Sequence, residues 1–406
     1  MAIFNNLDTI INELLITQAQ YADMDIDEMF NRLNEAIEVY GLNEAESAYL
    51  VYKWIAQNIV YDCYNYFHGG KLLYDDKSTY SSGIGVCAGY SNLFKNMCGA
   101  LGLEAEYVNG YGKGRPGESP EKSKHAWNSV KIDHSYYLID VTWGAGRCRE
   151  DEYKKKYTDF YFGTRPEEFI RTHLPRDKKW QLLSNIVTMK TFTNTLKLTS
   201  AYYENKFKAI MPDLSVYKVN GKGKVTLLYS ESNDISLSAK LFYINGSESN
   251  QEQNSCLITK SKGKIQVNFV TNKKGNYRLL IYVGKYEALK ALVTEYLVKN
   301  EIEAKIPQSY PGDFGSLHAS EIELISPLTS SLRKGKSYLF RLRAKNLKNM
   351  YIVDGNKKIK LINSNGLFMR KVNIEGKLGQ VTIVQSNSPN ETSKDDILFY
   401  QYKVSK

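Results

Sequence analysis

Several kinds of segment are missing from this 406-residue chain, and each absence removes a class of protein. No window approaches about eighteen consecutive apolar residues, so no transmembrane helix is expected. The N-terminus, Met1-Ala2-Ile3-Phe4-Asn5-Asn6-Leu7-Asp8, lacks the basic segment and long apolar core of a signal peptide. Cysteine is scarce: Cys63, Cys87, Cys98, Cys148 and Cys256 are odd in number and show no Cys-x-x-Cys spacing. That argues against a disulfide framework and against a structural zinc site, and for a reducing, cytoplasmic setting. No DNA- or RNA-binding motif occurs, so nucleic acid is not the expected partner.

Charge is unevenly spread. Residues 187–406 hold 34 Lys and Arg against 18 Asp and Glu, a net +16, while residues 1–186 hold 20 against 26, a net −6. The lysines of the basic half are scattered through strand-like runs, which fits solvated strand faces better than an anion-binding cluster.

What is present centres on Gly83-Ile84-Gly85-Val86-Cys87-Ala88-Gly89-Tyr90. Apolar residues at Tyr90, Leu93, Phe94, Met97, Cys98 and Leu101 follow the spacing of an amphipathic helix that stops at Gly102. Cys87 falls at the start of that helix, where unpaired amides and the helix dipole favour a thiolate. Cys98, eleven residues on, reads as core.

The first sixty residues read as helical: Ile10, Ile11, Leu14 and Leu15 form one run, and Met29, Leu33, Ile37 and Tyr40 a second that ends at Gly41. A third starts at Asn43 with Glu46 in capping-box position. Residues 63–82 read as a loop and Glu104–Tyr111 as a strand. Two further strands, Lys124–Ile132 and Tyr136–Thr142, meet at an Asp133-His134 turn. That register sets Asp140 opposite Trp127 and Thr142 opposite His125, so His125 and Asp140 are diagonal neighbours. The opposite face, with Val130, Ile132, Tyr137, Ile139 and Val141, is apolar enough for core.

From about residue 187 short β-rich runs recur at sandwich-like spacing in two blocks, the second after Ile306-Pro307. The boundaries are therefore set at 1–45 for an N-terminal helical segment and 46–186 for an α+β catalytic domain. Two all-β sandwich modules occupy 187–306 and 307–406.

A thiol, an imidazole and a carboxylate are the set that thiol acyl transfer requires: Cys87 to attack a carbonyl, His125 to take and return the proton, Asp140 to orient the ring. The segments around them, Gly85-Val86-Cys87-Ala88-Gly89-Tyr90, His125-Ala126-Trp127-Asn128 and Leu138-Ile139-Asp140-Val141-Thr142-Trp143-Gly144, resemble the papain-type transglutaminase-like superfamily. Trp54-Ile55, Tyr61-Asp62, Gly110-Tyr111 and Thr172-His173-Leu174-Pro175 resemble the kyphoscoliosis peptidase and hillarin family within it. His134-Ser135 and Leu174 depart from that family's pattern, and neither touches the triad. The resemblance implies a Cys helix packed on an antiparallel sheet and acyl transfer at a peptide or glutamine carbonyl without metal or organic cofactor. It also implies β modules that associate with cytoskeletal or scaffold proteins.

Hydrolysis is the expected outcome, because the Gly110–Gly117 loop carries Lys113 and Arg115 and would repel an incoming ammonium. Amine transfer, with Trp127 and Trp143 as a channel wall, and an idle triad on a binding scaffold are the alternatives. Asn58 and Tyr61 are candidate oxyanion donors beside the Cys87 amide. His68, His134, His173 and His318 read as loop or core histidines, with no acid or thiol placed near them by spacing.

Overall fold

The computed structural model describes residues 24–149, 151–230, 235–261, 263–284, 291–305, 308–313, 322–344, 347–376, 379–387 and 396–405. The run at Ile10–Leu15 and the Ile306-Pro307 junction lie outside the described residues. The chain forms two compact units, one running to Gly114 and over Glu118–Thr193, the other comprising Arg115–Gly117 and residues from Asn194 on.

In the first unit, α1 (Ile26–Tyr40) begins where the Asp25 carboxylate accepts the Glu28 amide and ends at left-handed Gly41. It buries Met29 and Leu33, two members of the predicted apolar run. α2 (Glu44–Asn58) opens on the expected capping box: Asn43 accepts from the Glu46 amide and Glu46 from the Asn43 amide. Strand β1 (Val60–Tyr61) follows. The stretch read as loop holds two short helices, α3 (Cys63–His68) and α4 (Asp76–Ser82), before β2 (Ile84–Gly85) pairs in parallel with β1. Asp62 and Asp75 accept amides from Asn65 and Ser78 and nucleate these turns. Helices this short carry too few apolar repeats for periodicity to find them.

α5 (Cys87–Ala100) buries Tyr90, Leu93, Phe94, Met97 and Cys98, the predicted stripe, while Gly102 takes a positive φ of 75° just beyond it. Gly89 is required here: a Cβ would lie 2.3 Å from Thr79 Oγ1 and 3.0 Å from the Leu73 carbonyl. The helix packs on an antiparallel sheet built from β3 (Ala105–Gly112), β4 (Lys124–Ile132) and β5 (Ser135–Ile139). After β5 come α6 (Val141–Ala145), β6 (Gly146–Arg149), β7 (Glu152–Lys155), β8 (Phe162–Thr164), α7 (Pro166–Phe169) and β9 (His173–Pro175). The sheet order is β8-β5-β4-β3-β9.

The β4–β5 turn is the two-residue loop expected, with Asp133 and His134 both at positive φ and the Asp133 amide held by Glu44. Two details of this hairpin differ from the expectation. The second strand stops at Ile139, because Asp140 caps α6 by accepting the Trp143 amide, so Thr142 is helical and not opposite His125. Tyr137 is 41% exposed, lying outside the core its strand parity suggested. Both sheet faces are nonetheless covered: Val130, Ile132 and Ile139 join the helical core, and Val108, Trp127 and Leu138 pack with Tyr161 and Phe169 on the other side.

The expectation of no disulfide is corrected as well. Cys63, at the start of α3, is bonded to Cys148 on β6 across 85 residues of sequence. An odd count and the absence of Cys-x-x-Cys are silent about cysteines that tertiary structure brings together. The cysteine count thus loses its weight as an argument for a reducing compartment. No described helix is long and apolar enough to cross a membrane.

The second unit holds two β-sandwiches. In the first, Phe207–Met211, Lys222–Tyr229, Lys264–Val270 and Cys256–Ser261 form one sheet in that spatial order. Val216–Val219, Ala291–Asn300, Gly275–Val283, Leu237–Asn245 and Glu248–Gln251 form the other. Tyr277, Leu279, Ile281 and Val283, in a run that read as β-rich in sequence, point into the core at every second position. The second sandwich encloses Phe340, Leu342, Ile352, Ile383 and Tyr400.

Candidate active site

The structure brings Cys87, His125 and Asp140 together. Cys87 is the first residue of α5, half-buried and reduced, preceded by a Val86 cap that offers no side-chain bond to the helix start. His125 stands on β4 with its side chain 8% exposed, and Asp140, wholly buried, follows β5. His125 Nε2 lies 2.7 Å from Asp140 Oδ2. The same imidazole interacts with the Cys87 thiol through hydrogen bonding and charge, and with Nε2 on Asp140 the nitrogen left for sulfur is Nδ1. His125 and Asp140 are neighbours, as hairpin spacing suggested, even though the strand ends at Ile139, three residues short of Thr142.

The electrostatics follow from this chain of contacts. Burial works against a thiolate at Cys87, but the hydrogen bond and charge of His125 and the Ala126 amide outweigh it and lower the thiol pKa. Burial also disfavours the imidazolium of His125; Asp140 and Cys87 overcome it and push the pKa up to about 10. Asp140 is opposed by burial in turn, yet His125 and His173 hold its carboxyl well below the usual range. Cys98 shows what burial does alone: its thiol is pushed far up. The same helix therefore carries one activated and one inert cysteine.

The surroundings place the other candidates. Tyr61 pairs with Gly85 in the short parallel ladder, and its hydroxyl meets both the Cys87 amide and the thiol. Burial, then the charge at Cys87, raises the pKa of Tyr61, Tyr66 and Tyr107. Asn58 spends its side-chain amide on the Trp54 carbonyl within α2. Trp127 is packed at 1% exposure, and the Trp143 ring lies 5.3 Å from that of His125. Gly144 follows Trp143 because any Cβ there would fall 1.8 Å from the Tyr52 hydroxyl. Lys113 is not a loop-tip charge: it is 7% exposed, with its ammonium 4.7 Å from the Phe192 ring.

One residue was missed. His173, read as a loop or core histidine, is fully buried with Nε2 2.8 Å from Asp140 Oδ2. It lies on β9, brought to the sheet edge by pairing with Gly112 of β3. Its only sequence signal was membership of the Thr172-His173-Leu174-Pro175 motif. His68 also has an acid beside it, Asp151 at 3.3 Å, in an exposed pair. His125, Asp140 and His173 present donor atoms within 4.8 Å of one another. Both imidazole Nε2 atoms, however, address a single carboxylate oxygen at hydrogen-bond distance, and shared protons account for the cluster.

Comparison with known proteins covers both units. Residues 32–141 match the sequence profile of the transglutaminase-like superfamily, and residues 189–311 that of the KY-like, immunoglobulin-like domain. The kyphoscoliosis peptidase of Mus musculus is 29% identical over 264 residues, covering 63% of this chain and 38% of the mouse protein. That of Homo sapiens is 28% identical over 263 residues, covering 63% and 38%. Hillarin of Drosophila melanogaster is 27% identical over 184 residues, covering 39% of this chain and 21% of hillarin. The chain thus spans well under half the length of these curated relatives.

Proposed function

For a chain that joins a transglutaminase-like core to a KY-like, immunoglobulin-like domain, we propose cysteine-dependent acyl transfer at a protein or peptide carbonyl, ending in hydrolysis. The observation that carries this reading is a thiol hydrogen-bonded to an imidazole whose other nitrogen is held 2.7 Å from a buried carboxylate. Cys87 sulfur attacks the carbonyl carbon, and the developing oxyanion is met by the Cys87 amide and the Tyr61 hydroxyl. The His125 imidazolium gives its proton to the departing amine as the thioester forms. Water, deprotonated by His125, then attacks the thioester, and the thiolate leaves with the ion pair restored. Asp140 keeps the ring oriented and its charge balanced through both halves.

The chemistry is assigned to residues 46–186 and partner binding to the sandwich modules at 187–306 and 307–406, through which a cytoskeletal or scaffold protein would be engaged. That the mouse and human relatives are named as peptidases supports hydrolysis over amine transfer. Lys113 does not present its charge at a loop tip to repel an amine, since it is buried with its ammonium over Phe192. The test incubates the protein with candidate protein substrates and an excess of fluorescent primary amine, with Cys87→Ala as control. Cleaved or deamidated product that depends on Cys87 supports hydrolysis. Stable amine incorporation outpacing it overturns the hydrolytic step, and partner capture with no product from either route assigns the chain to scaffolding.

A further inference from the structure

Asp140 is held by more than the ring it is expected to orient. Its Oδ1 accepts the Trp143 amide at 3.0 Å, and its Oδ2 accepts from His125 at 2.7 Å and from His173 at 2.8 Å. His173 cannot easily turn away. Its ring stacks on Phe169 at 3.9 Å between centroids and an interplanar angle of 15°, with Trp143 at 4.5 Å and Trp127 at 5.1 Å. Its Nδ1 lies 2.8 Å from Thr172 Oγ1. That hydroxyl also donates toward the Phe169 carbonyl at 3.2 Å and has one proton to give; the ionised Asp140 only accepts, so His173 Nε2 carries a proton aimed at it, and the neutral ring is the one in which the hydroxyl turns to Nδ1.

We propose that His173 is a positioning residue: a second donor that fixes the Asp140 carboxylate and draws down the negative charge His125 meets. The proposal rests on the acyl-transfer reading for its purpose and on geometry for its substance. A carboxylate with one donor would hold the His125 imidazolium so tightly that the ring becomes a poor acid toward a leaving amine. Each added hydrogen bond to the carboxylate lowers its proton affinity. Sharing Oδ2 between two rings tempers the grip on His125. The titratable groups facing this cluster are Cys87 from α5, His125, Asp140 and His173 themselves, Tyr52 from α2, and Tyr161 beside His173. Tyr61, Tyr66 and Tyr107 lie by the thiol, and Lys113 rests over Phe192.

The chain has five histidines, few enough to resolve by selective ¹⁵N-histidine labelling and NMR titration of the full-length protein. In the wild type the His173 ring should show its proton on Nε2 and a bare Nδ1. In His173→Phe, which preserves the aromatic stack but has no donor, the His125 midpoint should rise by about one pH unit. His173→Gln, whose amide still reaches Asp140, should restore most of the shift. A purely architectural His173 would loosen the His125–Asp140 contact instead, so an unchanged or lowered midpoint overturns the proposal, as does a wild-type proton on Nδ1. If His173→Phe does not fold, Thr172→Val frees the tautomer and should move His125 in the same direction by a smaller amount; no movement there is equally fatal. Cys87 alkylation at pH 6 separates the two claims. Slow alkylation with the predicted His125 shift sinks the acyl-transfer reading alone, and fast alkylation without the shift sinks this inference alone.

Discussion

Each compact unit buries a charged cluster. In the first, Cys87, His125, Asp140 and His173 form a line from a half-buried thiol to a wholly buried ring. In the second, Lys358 and Asp396 lie at 2% and 5% side-chain exposure, the ammonium meeting both carboxylate oxygens at 3.2 and 3.0 Å and hydrogen-bonding Ser386. The Tyr351 ring lies 5.2 Å from that ammonium. Both arrangements desolvate charge and compensate it with hydrogen bonds. The second has neither an attacking atom nor an imidazole to pass a proton, so it locks strands together. The first ends on a half-buried thiol. Burial of charge alone does not mark a site; a nucleophile at the accessible end of a proton-sharing chain does.

The largest expected effect follows directly. Cys87→Ala should abolish acyl transfer while shifting stability by no more than about 1 kcal/mol, because the side chain lies at the accessible end of its cluster. Turnover assays paired with thermal unfolding check both halves of that statement. Lys358→Ala should do the reverse: taking the ammonium away from the buried Asp396 carboxylate costs about 3–5 kcal/mol in denaturant unfolding of the second unit. Labelling of Cys87 should be unchanged in that variant.

Much of this contrast was legible in the chain. The α5 stripe declares itself through periodicity, and the capping box at Asn43 and Glu46, the hairpin turn at Asp133-His134 and the β-rich sandwich strands through local residue choice. The pairing of His125 with Asp140 followed because a two-residue turn propagates register over only a few residues. His173 escaped because its link to Asp140 runs through β9, β3 and β4, three segments whose order no local pattern encodes. The Cys63–Cys148 bond and the capped α3 and α4 turns were missed for related reasons: one is long-range, the others too short for a period. Asp396 was likewise invisible as a partner for Lys358, thirty-eight residues away and joined only by sheet topology.

Smaller effects sharpen the comparison. Tyr61→Phe should lower turnover by roughly a hundredfold, the usual loss when one oxyanion donor is removed. It should leave the rate of Cys87 alkylation nearly unchanged, because alkylation makes no oxyanion; a parallel fall in both rates would move Tyr61 from the oxyanion to the thiolate. The smallest effect is expected from replacing the whole second cluster. Lys358→Met with Asp396→Leu should be neutral or stabilising by about 1 kcal/mol, since the desolvation penalty leaves with the charges. A loss as large as that of Lys358→Ala would show that the ion pair itself, and not merely its completeness, holds the sandwich.

The central claim is that Cys87 is a thiolate paired with the His125 imidazolium at neutral pH. Its most direct test is the rate of iodoacetamide alkylation against pH, with the modified cysteine identified by mass spectrometry. A lowered thiol pKa keeps the thiolate present as pH falls, and a His125 pKa pushed up to about 10 keeps the imidazolium present as pH rises to that value. Modification of Cys87 should therefore fall off less between pH 8.5 and pH 6 than that of an ordinary thiol, with little modification of buried Cys98. A rate at pH 6 more than about a hundredfold below that at pH 8.5, the behaviour of an ordinary thiol, would contradict it.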